Sequence, residues 1–193
     1  MCLPPERGSE VRPVHGKCNA LVAVRFREPR KLTTSARIGD MKRILDVCCG
    51  SRMFWDDKAN PDCVFMDNRN FESVLCDGRQ LHVRPDIIAD FRSIPFPDES
   101  FWMVVFDPPH LLRAGKNSWL AEKYGTLPED WQSYISKGFT ECLRVLKKNG
   151  TLIMKWNSDQ IKFSELMAVL PRRPLYGSLN GRANKTLWMV FMK

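Results

Sequence analysis

No apolar run in this 193-residue chain approaches the roughly 18 to 20 residues that a membrane-crossing helix needs. The first residues also lack the basic-then-apolar layout of a secretory signal. No membrane partner is therefore expected, and the chain reads as cytoplasmic. Cys-x-x-Cys pairs and His-x-His spacing are absent too. The seven cysteines, at positions 2, 18, 48, 49, 63, 76 and 142, are odd in number and scattered. That fits neither a disulfide framework nor a zinc site, so reduced thiols and no metal are expected. The G-x-G-x-x-G and G-x-x-x-x-G-K-[ST] spacings are missing, which argues against a dinucleotide or triphosphate site. Acid is the scarcer charge: 22 Asp and Glu face 30 Lys and Arg, a formal net charge of +8. A basic surface favours acidic partners such as nucleic acid.

What is present is ordinary for a globular protein, with 44 % hydrophobic and 27 % charged residues. The length suits one domain with a proper core. Residues 1–40 differ from the rest: prolines, glycines and charges without a period, and eight Lys or Arg against four acids. This segment reads as a basic leader, either disordered, or an arm that grips a nucleic-acid backbone, or an extension ahead of a start at Met41. Residues 41–193 form the expected domain.

Within that domain, apolar runs recur: "RILDVCC", "CVFMD", "DIIAD", "FWMVVFD", "GTLIMKW" and "KTLWMVFMK". They are continuous rather than alternating, as in strands buried on both faces. Helical signals fall between them. In "TLPEDWQSYISKGFTECLRVLKKNG", Pro128, Glu129 and Asp130 suit a first turn, and Trp131, Ile135, Phe139, Cys142 and Leu146 recur at helical spacing. Lys147 and Lys148 suit the negative end, with a stop at Asn149-Gly150. Strands alternating with helices give an α/β fold with a largely parallel, doubly wound sheet, whose ligands bind beyond the strands' carboxyl ends. Three runs end there in an acid: Asp67, Asp90 and Asp107.

The turn "ILDVCCGSR" follows the first run with small residues, Cys48, Cys49, Gly50 and Ser51, that allow close backbone approach to a ligand. Asp67 lies 21 residues beyond Asp46, where an acid can accept from both hydroxyls of a ribose. Asp90 can accept from an exocyclic amine, with Phe91 as an apolar wall. The cysteines read as packing residues.

The order "ILDVCCG", "VFMD", "IIAD", "FPDESFWMVVFDPPH", "LRVLKKNGTLIMKW" resembles the class I S-adenosylmethionine-dependent methyltransferases over about residues 42–193. The resemblance implies a Rossmann-like sheet of seven strands, the last antiparallel, with S-adenosylmethionine at the ends of the first strands. Asp46 to Gly50 would hold its methionine portion, Asp67 its ribose, and Asp90 with Phe91 its adenine. Where the family carries D-x-G-x-G-x-G, this chain has cysteines at 48 and 49 and keeps only Gly50.

"DPPH", Asp107 to His110, resembles the [DNS]-P-P-[YFW] signature of methyltransferases that act on planar amino nitrogens. A delocalised amine is a poor nucleophile, so two fixed acceptors for its hydrogens aid the reaction. Asp107 would supply one and the Pro108 carbonyl the other. Pro108 and Pro109 would keep the turn rigid. His110 stands where the family has a ring that stacks on the base. The following segment, "LLRAGKNSWLAEKYGTL", reads as a loop in which Arg113, Lys116, Lys123, Trp119 and Tyr124 either cover a nucleic acid or merely connect. Lys155-Trp156 borders the same face, with Trp156 lining the pocket or packing.

The expected activity is thus methylation of an exocyclic amino nitrogen, with adenine in DNA or RNA foremost. A protein glutamine or small amine as acceptor, and a non-catalytic S-adenosylmethionine- or nucleic-acid-binding module, are the alternatives.

Overall fold

The computed structural model describes residues 42–115, 118–177 and 185–193. The segment 1–40 and Lys116 lie outside the described residues, and so do the expectations attached to them. Nine strands and three helices occur among the described residues. They are β1 (Ile44–Asp46), β2 (Cys63–Asp67), β3 (Phe71–Val74), β4 (Gln80–Val83), β5 (Ile87–Ile88) and β6 (Phe101–Phe106). After these come α1 (Trp119–Tyr124), α2 (Trp131–Val145), β7 (Leu146–Asn157), α3 (Phe163–Val169), β8 (Tyr176–Gly177) and β9 (Thr186–Met192).

Seven strands form one mixed sheet in the order β5-β2-β1-β6-β7-β9-β8. The pairs β5–β2, β2–β1, β1–β6 and β6–β7 are parallel, whereas β9 runs antiparallel to both its neighbours. The Rossmann-like architecture, with a single reversed strand at the chain's end, is therefore the expected one. The order turns back at β1, which leaves the carboxyl ends of β1, β2 and β6 side by side.

One face of the sheet carries the main core. α2 buries Trp131, Ile135, Phe139, Cys142 and Val145 against Leu45, Val64, Val104, Phe106 and Leu152. The stripe repeats every three or four residues, so a single helix face meets the sheet. On the opposite face, Cys49, Cys63 and Phe65 pack with Ile44 and Trp55.

Four local expectations need correction. Residues 71–83 form a β-hairpin, β3 with β4, which makes a sheet of its own. Its signal is an Asp-Gly turn, with Gly78 at φ 83° and Asp77 accepting from the Arg79 amide. That turn joins two short strands, and the hairpin buries Leu75, Leu81 and Val83. The connections from β1 to β2 and from β5 to β6 contain turns and no helix. The third run is a strand only at Ile87–Ile88, so Asp90 lies two residues past its end.

α2 begins at Trp131, after Pro128–Asp130, and ends at Val145. Leu146 pairs with Phe101 and draws Lys147–Gly150 into β7, with Asn149 at φ 62°. The cation at the helix's carbonyl end is instead Lys193, whose Nζ donates to the carbonyls of Arg144 and Leu146 at 3.1 and 2.7 Å. No helix among the described residues is long and apolar enough to cross a membrane.

Candidate active site

β1 delivers Asp46 to the sheet's carboxyl edge, and the chain turns at once. The Asp46 carboxyl accepts from the Cys48 amide at 3.3 Å and from the Trp55 indole N–H at 2.7 Å. The Cys49 amide donates to the Met66 carbonyl at 2.9 Å, which ties the turn to β2. Gly50 has φ 49°, a left-handed conformation that glycine adopts without penalty. A Cβ built there would meet nothing within 4 Å, so the space above this turn is open. Asp46 is buried, and burial raises its pKa from 3.8 to about 7 against the opposing hydrogen bonds. The thiols of Cys48, Cys49, Cys63 and Cys142 are all pushed up by burial. They remain protonated packing groups near neutral pH.

Asp67 closes β2 and is enclosed. Its oxygens accept from the Gly50 amide at 2.9 Å, the Arg69 amide at 3.0 Å and the Arg69 guanidinium at 3.1 Å. The same guanidinium reaches the carbonyls of Glu122 and Lys123 at 3.2 and 3.5 Å. Arg69 thus joins the end of β2 to the last turn of α1. The Ser73 hydroxyl also meets the Glu122 carboxylate. The segment expected as an open loop is therefore partly helical. Ser118 caps α1 by accepting from the Ala121 amide, and Gly125, at φ 75°, ends it.

β6 delivers Asp107. Each of its oxygens lies 2.9 Å from the Lys155 ammonium. Burial nonetheless holds the Asp107 pKa above the ordinary carboxylate value, with Lys155 opposing the shift. After the prolines, Gln160 fixes the chain: its side-chain oxygen accepts from the Leu112 and Arg113 amides at 2.7 and 2.9 Å, and its amide donates to the Arg113 carbonyl. His110 is buried, with its ring 5.6 Å from that of Tyr124. Burial and Lys155 push its pKa down to about 4, so it is neutral at pH 7.

A cavity of about 210 Å³ opens at this edge. It brings together eight of the residues singled out in sequence: Asp46, Cys48, Cys49, Gly50, Ser51, Asp107, Lys123 and Tyr124. Val105 and Ile153 add to its lining, and Phe54, Tyr124 and Trp188 supply aromatic walls. A neighbouring recess of about 30 Å³ holds Asp67, Phe91 and Pro109, and shares Cys48, Arg69 and Tyr124 with the main cavity. Pro108 and His110 line neither space.

Asp90 is not brought to the site. Its carboxylate faces Arg92, 2.6 Å from a guanidinium nitrogen, near the surface. Phe91 packs edge-on to Phe106 and Tyr134. Trp156 packs as well: it is fully buried and donates to the Ile161 carbonyl at 3.2 Å.

Sequence reasoning missed Phe54, Arg69 and Trp188, and gave Lys155 no partner. Trp188 had a visible signal. Leu187, Met189 and Phe191 alternate into the core, which leaves a large ring on the other register of β9.

No protein-family profile and no curated protein matches the chain. Among solved structures it is similar to the PH0226 protein from Pyrococcus horikoshii OT3, with 14 % identity and a TM-score of 0.49 over 78 % of this chain and 81 % of that one. It is similar to a TehB-like SAM-dependent methyltransferase from Corynebacterium glutamicum, with 16 % identity and a TM-score of 0.47 over 82 % and 86 %. It also resembles the antibiotic-resistance methyltransferase Kmr, with 12 % identity and a TM-score of 0.47 over 89 % and 99 %.

Proposed function

We propose that this chain is an S-adenosylmethionine-dependent methyltransferase acting on an amino nitrogen of a planar ring, with adenine in DNA or RNA as acceptor. The observation that carries this reading is the single cavity shared by the Gly50 turn and Asp107. The turn end fits the cofactor: Gly50 leaves open space above its backbone, and Cys48 and Cys49 are small. Direct contact between a ribose and Asp67 would require Arg69 to leave the carboxylate. Otherwise Asp67 acts by holding the Gly50 amide.

When bound, the cofactor supplies an electrophilic methyl group. The chain's own part is acceptor chemistry. Asp107 accepts a hydrogen bond from the amino group and takes its proton as the nitrogen gains a fourth bond. Its raised pKa makes it the better proton acceptor, while the Lys155 ammonium keeps the carboxylate oriented. The basic chain favours a nucleic-acid acceptor.

One observation favours a second reading, a binding module without turnover. Asp107 and Asp67 are both already hydrogen-bonded within the protein, by Lys155 and by Arg69 with the Gly50 amide.

Incubation with isotopically labelled S-adenosylmethionine and separate pools of DNA, RNA and protein tests the proposal. Label in methylated adenine, lost in Asp107→Asn, is the expected result. Label only in protein moves the acceptor to a glutamine or another amine. Cofactor binding without transfer to any pool selects the binding module.

A further inference from the structure

The cavity has an aromatic mouth that the proposed chemistry has not used. Phe54 and Trp188 are 51 % and 38 % exposed, yet both line the space whose floor is Asp107. Their rings meet edge to face, with centroids 5.4 Å apart and planes at 86°. Trp188 stands opposite Lys155 in the β7–β9 register, so the two side chains share one face. The Lys155 ammonium lies 4.6 Å from the Phe54 ring centroid, which fixes that ring from a second side. Asp107, Lys155, Phe54 and Trp188 are thus one contiguous assembly on the β7–β9 side. Asp67 and Phe91 lie on the other side, in the recess at the end of β2.

His110, which the motif resemblance assigned to stacking, is buried against Tyr124 and lies outside the cavity lining. A stacking surface would come from elsewhere, and among the described residues the rings lining this cavity are those of Phe54, Trp55, Tyr124 and Trp188. Trp55 is tied to Asp46 by its indole N–H and packs on Phe65. Tyr124 faces His110. Two exposed rings remain, with Lys123 at the same opening; Arg52 and Arg69 also line it but are held by Asp86 and Asp67.

We infer that Phe54 and Trp188 form a right-angled jaw, in which one unpaired purine of a nucleic-acid strand stacks on the face of one ring with its edge against the other, and presents its amino edge to Asp107. Every base offers a π face, and a lysine beside the rings can meet the strand's phosphate, so exposed rings with Lys123 nearby suit this ligand. In a duplex the base would first have to leave the stack. The inference rests on the proposed acceptor class, and goes beyond it by assigning the residues that hold the ring.

The test uses single strands, one DNA and one RNA, carrying 2-aminopurine, with matched strands abasic at the same position. Stacking on an aromatic ring quenches 2-aminopurine fluorescence. Full-length protein is expected to quench at least one strand, which identifies the sugar, and to bind it on the order of tenfold more tightly than its abasic partner. Phe54→Leu and Trp188→Leu should lose both effects, while Trp188→Phe, which keeps a ring, retains them. Circular dichroism confirms that the variants fold.

No quenching of either strand, or quenching unchanged in Trp188→Leu, overturns the jaw. Asp107→Asn should still quench, which separates the two proposals. Quenching without methyl transfer by the unmodified protein supports the jaw and sinks the transferase. Transfer that is indifferent to both Leu variants sinks the jaw and leaves the transferase.

Discussion

Asp46 offers the most direct physical test, because its expected behaviour needs no ligand. Its pKa rises from 3.8 to about 7, chiefly through burial. Between those values the native protein holds a proton that the unfolded chain has released. Stability from this group is therefore full below pH 3.8 and is lost as pH rises toward about 7. At about 1.4 kcal/mol per unit, the whole window is worth about 4 kcal/mol, and the part above pH 5 about 3 kcal/mol. Asp46→Asn removes the titration. Its amide oxygen can still accept from Trp55, while its NH₂ faces the Cys48 amide, a mismatch costing about 1 kcal/mol at every pH. Urea unfolding of both proteins at pH 5 and pH 8 gives the difference, in which all other groups cancel. The variant should gain about 3 kcal/mol on the unmodified protein across that interval. Parallel profiles, or a relative loss by the variant at high pH, would refute a buried, protonated Asp46.

Other contacts make separate predictions. Lys155→Met leaves the Asp107 carboxylate buried without its ion-pair partner and should cost about 3–5 kcal/mol in unfolding free energy. Adding Asp107→Asn should recover most of that loss, which chemical denaturation of the single and double variants would show. Arg69→Ala frees the carbonyls of Glu122 and Lys123, so amide hydrogen exchange over Trp119–Tyr124 should quicken while α2 stays protected. Gly138→Ala would place a methyl 2.4 Å from the Phe91 ring and should destabilise by about 1–3 kcal/mol, less in a background carrying Phe91→Leu. If S-adenosylmethionine binds here, its cationic form should bind more tightly as pH rises from about 6 to about 8 and Asp46 ionises. The thioether product keeps the α-ammonium and loses only the sulfonium charge, so its affinity should rise in the same direction but less, as equilibrium dialysis would measure.

The main strands were legible because buried strands write themselves as continuous apolar runs, and the strand-end acids mark where the runs stop. The Gly50 turn and Asp107 followed from the same signal. The pairing of the acids did not. Asp107 meets Lys155 because β6 and β7 are neighbours with Phe106 opposite Met154, which sets the next residue of each strand side by side. That register depends on the bulge at Phe101–Met103, which no local pattern announces. Asp90 failed for a nearer reason: Arg92, two residues on, is close enough to claim it. The hairpin at 71–83 was overlooked although its Asp-Gly turn was in plain view, because its strands are short and half-polar beside the core runs.

Three acids converge at one sheet edge, and the fold treats each differently. Asp67 is answered by Arg69 and a backbone amide, Asp107 by Lys155, and Asp46 only by two neutral donors. Burial raises the pKa of both Asp46 and Asp107; Lys155 opposes the shift at Asp107, whereas only neutral donors oppose it at Asp46. Near pH 7 the charge of this edge therefore changes as Asp46 titrates. Arg69 and Lys155 do more than neutralise. Arg69 also holds α1 over the recess, and Lys155 also faces Phe54 at the mouth. Each countercharge couples a buried acid to a wall of the cavity, so loss of either should disturb the site's shape along with its charge.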